Sequence, residues 1–343
     1  MKQLTKFLCF STAAITIGLV AAPTSVQAQK VVNWTMVSPY PPSDPTSQRF
    51  LEFAKAAEKE TNGQFKMKVL MAGQHPYQYR DGLRVATDGL ADVSHTGLTY
   101  LTAVESWFGL PFVPFAVPYE KQQEFVVQWH EELAKPYLEE KYDLKVLGYF
   151  LTSGGWGNAI HTKNKLENFD SLKGQKIRAH DKNTAGLAQI LNATPATVPY
   201  SELYVAVQRK SIDGVMTSLQ GAYAQKLWEL LKHTNLYEPY FGVDDIVVSN
   251  DKWNALPDDL KPKLQAMFEE WFSVPAMFEF HSTANKRIMQ EAQEKYGAVF
   301  SEMSPEFRAE ARERSKPLLE AYVQNGGEMA QKSAELANSL AGN

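Results

Sequence analysis

Between residues 31 and 94 the hydrophobic period switches repeatedly between two residues and three to four, and this alternation constrains the fold more tightly than any other feature of the chain. Val32, Trp34 and Met36 fall on one face of an extended segment and Asn33 and Thr35 on the other, which is the period of a strand. After a turn at 38–44, Phe50, Phe53, Ala54 and Ala57 recur at helical spacing, and Asn62-Gly63 supplies a stop. Phe65, Met67 and Val69 then alternate with Lys66 and Lys68 in a second strand. A helix over 78–87 and a third strand near 91–94 follow. Strand, helix, strand, helix, strand is the order that a parallel sheet with crossover helices requires.

The run Leu110-Pro111-Phe112-Val113-Pro114-Phe115 interrupts this order before a helix over about 119–141 and a strand over 144–150. From Gly154 a second unit repeats the logic without repeating the sequence: a strand at 175–179, helices at 182–192 and 201–210, and a strand at 214–217. From Leu256 the pattern is almost wholly helical, with Pro257-Asp258-Asp259 at a helix start and Pro275 as a kink in a helix reaching about Tyr296. A last helix covers about 304–340. The expectation is a two-lobed α/β fold. Residues 29–153 form lobe I, completed by about 243–283, and residues 154–242 form lobe II, completed by about 284–343. Long C-terminal helices strap the lobes, and a ligand cleft lies between them.

Lys2 and Lys6 precede an apolar stretch from Phe7 to about Ala22, and Val26-Gln27-Ala28 follows. That predicts a secretory signal peptide over 1–28, cut after Ala28, and a periplasmic destination. Ser11, Thr12 and Thr16 interrupt the stretch, which is shorter than the roughly 20 residues of a spanning helix. The single cysteine, Cys9, lies inside it, so the processed chain is expected to carry no disulfide, no thiolate metal site and no lipid anchor. Loss of Lys2 and Lys6 moves the formal charge from −4 to −6, which argues against a nucleic-acid partner.

Catalytic signatures are missing from the sequence: there is no G-x-S-x-G, H-E-x-x-H, phosphate-binding G-x-x-x-x-G-K or G-x-G-x-x-G. The seven histidines show no metal-ligand spacing, and no cofactor is expected. Adjacent acids such as Asp244-Asp245 and Asp258-Asp259 read as solvated or capping carboxylates.

One segment carries more. Leu172-Lys173-Gly174-Gln175-Lys176-Ile177-Arg178-Ala179 leads to Asn192-Ala193-Thr194-Pro195, then Pro199-Tyr200-Ser201-Glu202-Leu203-Tyr204, Val207-Gln208 and Ile212-Asp213-Gly214. This resembles the central motif of the periplasmic solute-binding proteins of tripartite ATP-independent periplasmic (TRAP) transporters, the C4-dicarboxylate-binding-protein-like family. Ala72-Gly73-Gln74, Gly89-Leu90-Ala91-Asp92, Leu110-Pro111-Phe112, Ser249-Asn250 and Leu256-Pro257-Asp258-Asp259-Leu260 extend the resemblance over nearly the whole processed chain. It implies a periplasmic-binding-protein-like fold and a binding role, not an enzyme.

The resemblance also implies that Arg178 grips a ligand carboxylate, a task suited to the rigid bidentate fork of a guanidinium. From strand alternation alone, Lys176 and Arg178 share a face and can equally be two solvated cations. Thr217 stands where the common motif has an asparagine, and Tyr200 matches the aromatic before Ser-Glu. Ser153-Gly154-Gly155-Trp156 resembles a turn of the keto-acid binders, which makes Trp156 a cleft residue, but Asn158 follows where those proteins have an arginine. Those binders hold a cation with a glutamate near the position of Met216, and a thioether does not replace that hard ligand, so no metal is expected. Loops after lobe I strands add Ser38, Tyr40, His95 and Thr96.

The sequence thus points to a solute-binding subunit of a TRAP transporter that captures a small organic acid and docks on the membrane subunits. With Arg178 as its one assigned cation and several aromatic residues, the cleft suits a monocarboxylate with an apolar or aromatic body better than a C4-dicarboxylate. A ligand-sensing subunit for a receptor, or a periplasmic lyase or hydrolase using His95, are the alternatives.

Overall fold

The structure, a computed structural model, describes residues 31–152, 154 and 158–341. The expected signal segment, Ser153, Gly155, Trp156 and Gly157 lie outside the described residues. Two sheets organise the molecule. The first has the order β2-β1-β3-β10-β4, built from β1 (Val32–Val37), β2 (Phe65–Leu70), β3 (Val93–Gly97), β4 (Leu144–Leu151) and β10 (Val243–Ser249). The second has the order β11-β9-β5-β8-β6-β7, from β5 (Asn158–Thr162), β6 (Lys176–Ala179), β7 (Thr194–Thr197), β8 (Gly214–Ser218), β9 (His233–Leu236) and β11 (Val299–Glu302).

The opening strands pair as their period requires: β1 is parallel to β2 from Val32 opposite Phe65 to Val37 opposite Leu70, and parallel to β3 on its other side. The intervening helix, Pro45–Glu60, is specified at both ends. Asp44 caps it by accepting from the Thr46 amide at 2.8 Å, and Pro45 needs no donor in the first turn. Asn62 and Gly63 then take positive φ, and the Gly63 amide returns to the Glu58 carbonyl. Phe50, Phe53, Ala54 and Ala57 form the buried stripe, packed with Phe268 and Phe272.

Several expectations are corrected. The first sheet is mixed, because β10 lies antiparallel between β3 and β4. Its Asp244 and Asp245 are fully buried, not solvated. Pro275 does not kink a helix. Leu260–Phe272 ends before Ser273, and Pro275 sits in the first turn of a new helix, Val274–Tyr296, where its missing N–H costs nothing. The helix over 119–141 contains a π-helical turn at His130–Ala134. The last helix, Pro305–Ala341, is broken at Gly327, whose φ is 71°.

The two long C-terminal helices bind both sheets. Val274 and Met277 belong to the apolar clusters around the first sheet, whereas Ile288 and Ala292 of the same helix join a cluster with Val215 and Leu236 of the second. In the last helix, Phe307 stacks on Phe169 at 4.3 Å beside the second sheet. Farther along, Tyr322 donates to the Trp107 carbonyl, and Trp129 Nε1 donates to Ser333 Oγ at 2.9 Å beside the first. The lobes are further joined where Phe115 donates its amide to Pro239 and Phe241 to Pro111.

Candidate functional site

A cavity of about 630 Å³, open to solvent, lies where the C-terminal ends of strands from both sheets converge. Lobe I contributes Tyr40 and Asp44 from the segment after β1, Tyr100 from the segment after β3, and Tyr79. Lobe II contributes Arg178 and His180 at the end of β6, Thr217 and Ser218 at the end of β8, and Tyr200.

Arg178 is set by its strand. β6 runs between β7 and β8, Ile177 points into the second-sheet core, and Arg178 takes the opposite face. Lys176, two residues earlier, is exposed. The Arg178 side chain is held from behind: Nε donates to the Val198 carbonyl and Nη1 to the Met216 carbonyl, both at 3.1 Å. Only 5% of the residue is exposed, and among the described residues no carboxylate forms an ion pair with it. Burial lowers the pKa of this group, with nearby Tyr100 and Tyr240 opposing. A guanidinium buried with carbonyls but without a counter-ion is costly on its own and is stabilised by an incoming anion.

The other ionisable groups of the wall complement it. Asp44 is 4% exposed, and burial pushes its carboxyl up to about 6 against the backbone and hydroxyl bonds from Thr46. The His180 imidazole is pressed well below its ordinary pKa by burial and then by Arg178, and is therefore neutral. Aromatic rings share the wall with these groups: Tyr79 stacks on Tyr100 at 4.4 Å, and Tyr40 meets Tyr79 edge-on at 5.3 Å. Gly221 is needed here, because a Cβ would stand 2.6 Å from Thr217 Oγ1.

Of the residues expected from sequence, Arg178, Tyr200, Thr217 and Tyr40 are brought to this cavity. Ser38, His95 and Thr96 are not among its lining. β3 runs three residues beyond its expected end, because pairing with β10 extends it to Gly97, and His95 and Thr96 are thereby buried within the sheet. His95 is satisfied on both nitrogens, by Ser38 Oγ at 2.9 Å and Asp244 Oδ2 at 2.8 Å. Thr96 packs against Gly82, where any Cβ would collide with its hydroxyl. His95 reaches the cavity only indirectly, since Tyr40 also donates to Asp244 Oδ2. Trp156 lies outside the described residues. Sequence reasoning missed Asp44, Tyr79, Tyr100 and His180. Tyr100 follows the same strand-end logic applied three residues later, and His180 immediately follows β6.

Two α/β lobes with a polar and aromatic cavity between their strand ends are the architecture of a two-lobed ligand-binding protein. The chain belongs to the bacterial extracellular solute-binding protein family 7, whose model matches residues 36–325. It is similar to a solute-binding protein of Sulfitobacter sp. (strain NAS-14.1), 31% identical over 187 residues, a match spanning 54% of this chain and 54% of that relative. In fold it is similar to an extracytoplasmic solute receptor of Bordetella pertussis that binds pyroglutamic acid, with a TM-score of 0.79 and 19% identity over 90% of this chain and 100% of that one. It also resembles a TRAP periplasmic solute-binding protein of Sulfitobacter sp. NAS-14.1 with bound β-D-galacturonate, with a TM-score of 0.78 and 16% identity over 90% of this chain and 100% of that one.

Proposed function

We propose that this protein is the extracytoplasmic solute-binding subunit of a TRAP transporter. It captures a small organic monocarboxylate in the periplasm and delivers it to the membrane subunits, without chemical turnover. The observation that carries this reading is the Arg178 guanidinium, buried at the cavity wall, fixed by two backbone carbonyls and lacking an acidic partner among the described residues. A guanidinium held in this way is suited to receive a ligand carboxylate on its remaining N–H groups.

Asp44 narrows the ligand. An ionised carboxylate in the same cavity repels a second ligand carboxylate and favours an N–H or O–H donor in its place. The stacked tyrosines favour a flat or ring-shaped body between the two ends. Pyroglutamic acid and galacturonate, held by the two structural relatives, each combine one carboxylate with a ring and donors elsewhere.

A thermal-shift panel of organic acids, followed by calorimetry, tests this reading. Ligand at a hundred times its Kd stabilises by about 2.7 kcal/mol. The expected result is one-site binding of a ring monocarboxylate, recovered unchanged. Tight binding of succinate with no response to any monocarboxylate overturns the ligand class, and conversion of the ligand overturns the binding role. Export is tested by sequencing the secreted protein, which is expected to begin at or near Gln29.

A further inference from the structure

A second groove, enclosing about 980 Å³ of open space, lies beside the ligand cavity. The two are separated by one turn and one short helix: Ser43 lines the groove and Asp44 the cavity, and Gly221 lines the cavity while Tyr223, in the same helix, lines the groove. The remaining walls come from the helix Pro45–Glu60 and the helix Val274–Tyr296.

Two arginines, Arg49 and Arg287, and one carboxylate, Glu52, supply the charged groups of its lining, so the lining is net cationic. The Arg49 guanidinium is sandwiched between Trp271 at 4.7 Å and Phe280 at 4.8 Å, with Nη2 donating to the Trp271 carbonyl. That packing fixes its direction while leaving its buried Nε without a hydrogen-bond partner. Burial lowers its pKa, with Glu52 and Glu270 opposing, and neither carboxylate forms an ion pair with it among the described residues. Arg287, exposed and one helix away, has no ion pair among the described residues and acts electrostatically on Tyr223.

We propose that Arg49 and Arg287 form an auxiliary capture site for small carboxylates, which holds the anion weakly beside the cavity before it reaches Arg178. The need follows from charge: the formal charge is −4 for the full chain and −6 without residues 1–28, so an anionic ligand approaches a net anionic protein, and a local cationic groove offsets that repulsion. The inference rests on the proposed carboxylate ligand, but only in the chemistry of the anion.

The test uses the full chain with Arg178→Ala, which removes the deep site, titrated with pyroglutamate while the Trp271 indole and Arg49 Nε–H signals are followed by NMR. Saturable, weak shifts at both signals, lost on adding Arg287→Gln, are expected. No saturable shift, or shifts indifferent to Arg287→Gln, overturns the capture site. Neither result depends on which acid fills the deep site, whose failure registers instead as no tight binding by the otherwise unaltered protein. For the acid that binds the deep site most tightly, Arg287→Glu is expected to lower kon roughly threefold or more at low ionic strength, with koff unchanged and the difference vanishing in high salt. Equal kon at low ionic strength overturns the role in capture.

Discussion

Tyr40 and Asp244, 204 residues apart in the chain, meet at 2.7 Å through a hydrogen bond from the tyrosine hydroxyl to Oδ2, the same oxygen that His95 Nε2 approaches at 2.8 Å. The bond ties a cavity-lining ring to a carboxylate with no solvent exposure. Tyr40→Phe is expected to cost about 0.5–1.5 kcal/mol in stability and a modest loss of affinity, because Asp244 keeps His95. Asp244→Ala leaves a buried imidazole without its partner and is expected to cost roughly 3–5 kcal/mol. Denaturant unfolding of both variants measures the contrast, and equal small losses would show that the His95–Asp244 pair is dispensable.

Arg178→Ala is expected to abolish ligand binding while leaving the unfolding transition near that of the parent. Arg178→Lys is expected to recover little, since an ammonium cannot reproduce the planar fork anchored on Val198 and Met216. Calorimetry reads both. Full affinity in either variant removes Arg178 from the site.

The Asp44 carboxyl, raised by burial from 3.8 to about 6, binds a proton more readily in the folded chain than in the unfolded one. Its contribution to stability therefore falls as pH rises from about 4 through 6, by roughly 3 kcal/mol in total. Asp44→Asn keeps the helix cap and removes the charge. The variant is expected to melt above the parent at pH 7.5, with the gap closing toward pH 4. Asp181, Asp244 and Asp245 are also raised by burial but are common to both proteins and cancel in the comparison. The same variant is expected to bind succinate several-fold better than the parent at neutral pH. A pH-independent gap, or unchanged succinate affinity, counts against an ionised Asp44 in the cavity.

Binding is expected to survive exhaustive dialysis against a chelator. Met216 stands where a cation-binding relative would need a hard oxygen, and its side chain packs in the core with Ile160 and Ile177. Affinity lost on dialysis and restored by calcium or sodium would show that oxygens elsewhere build a metal site.

The local elements were legible wherever one residue pattern decides them. The strand at Phe65 and the buried stripe of the helix after Asp44 follow from period, whereas alternation puts Lys176 and Arg178 on one face without deciding between them, and only the family resemblance singles out Arg178. The failures share a non-local cause. His95 and Thr96 read as loop residues because their partner strand, β10, lies about 150 residues away, and Asp244-Asp245 read as solvated because the histidines that accompany them are equally remote. Tyr79 and Asp44 became site residues only when the second lobe closed the cavity around them.

β10 is also the last strand of the first sheet to emerge from the chain, although it occupies an interior place between β3 and β4. Until residues 243–249 are available, both neighbours present unpaired edges, and His95 and His130 lack Asp244 and Asp245. Lobe I therefore cannot be completed vectorially from its own N-terminal residues, and its folding waits on a contact of long sequence separation, which slows the search. A nascent or truncated chain ending near residue 242 exposes two adjacent sticky edges, a template for intermolecular pairing. Synthesis of the full chain thus carries a window of aggregation risk that closes only when this late interior strand arrives.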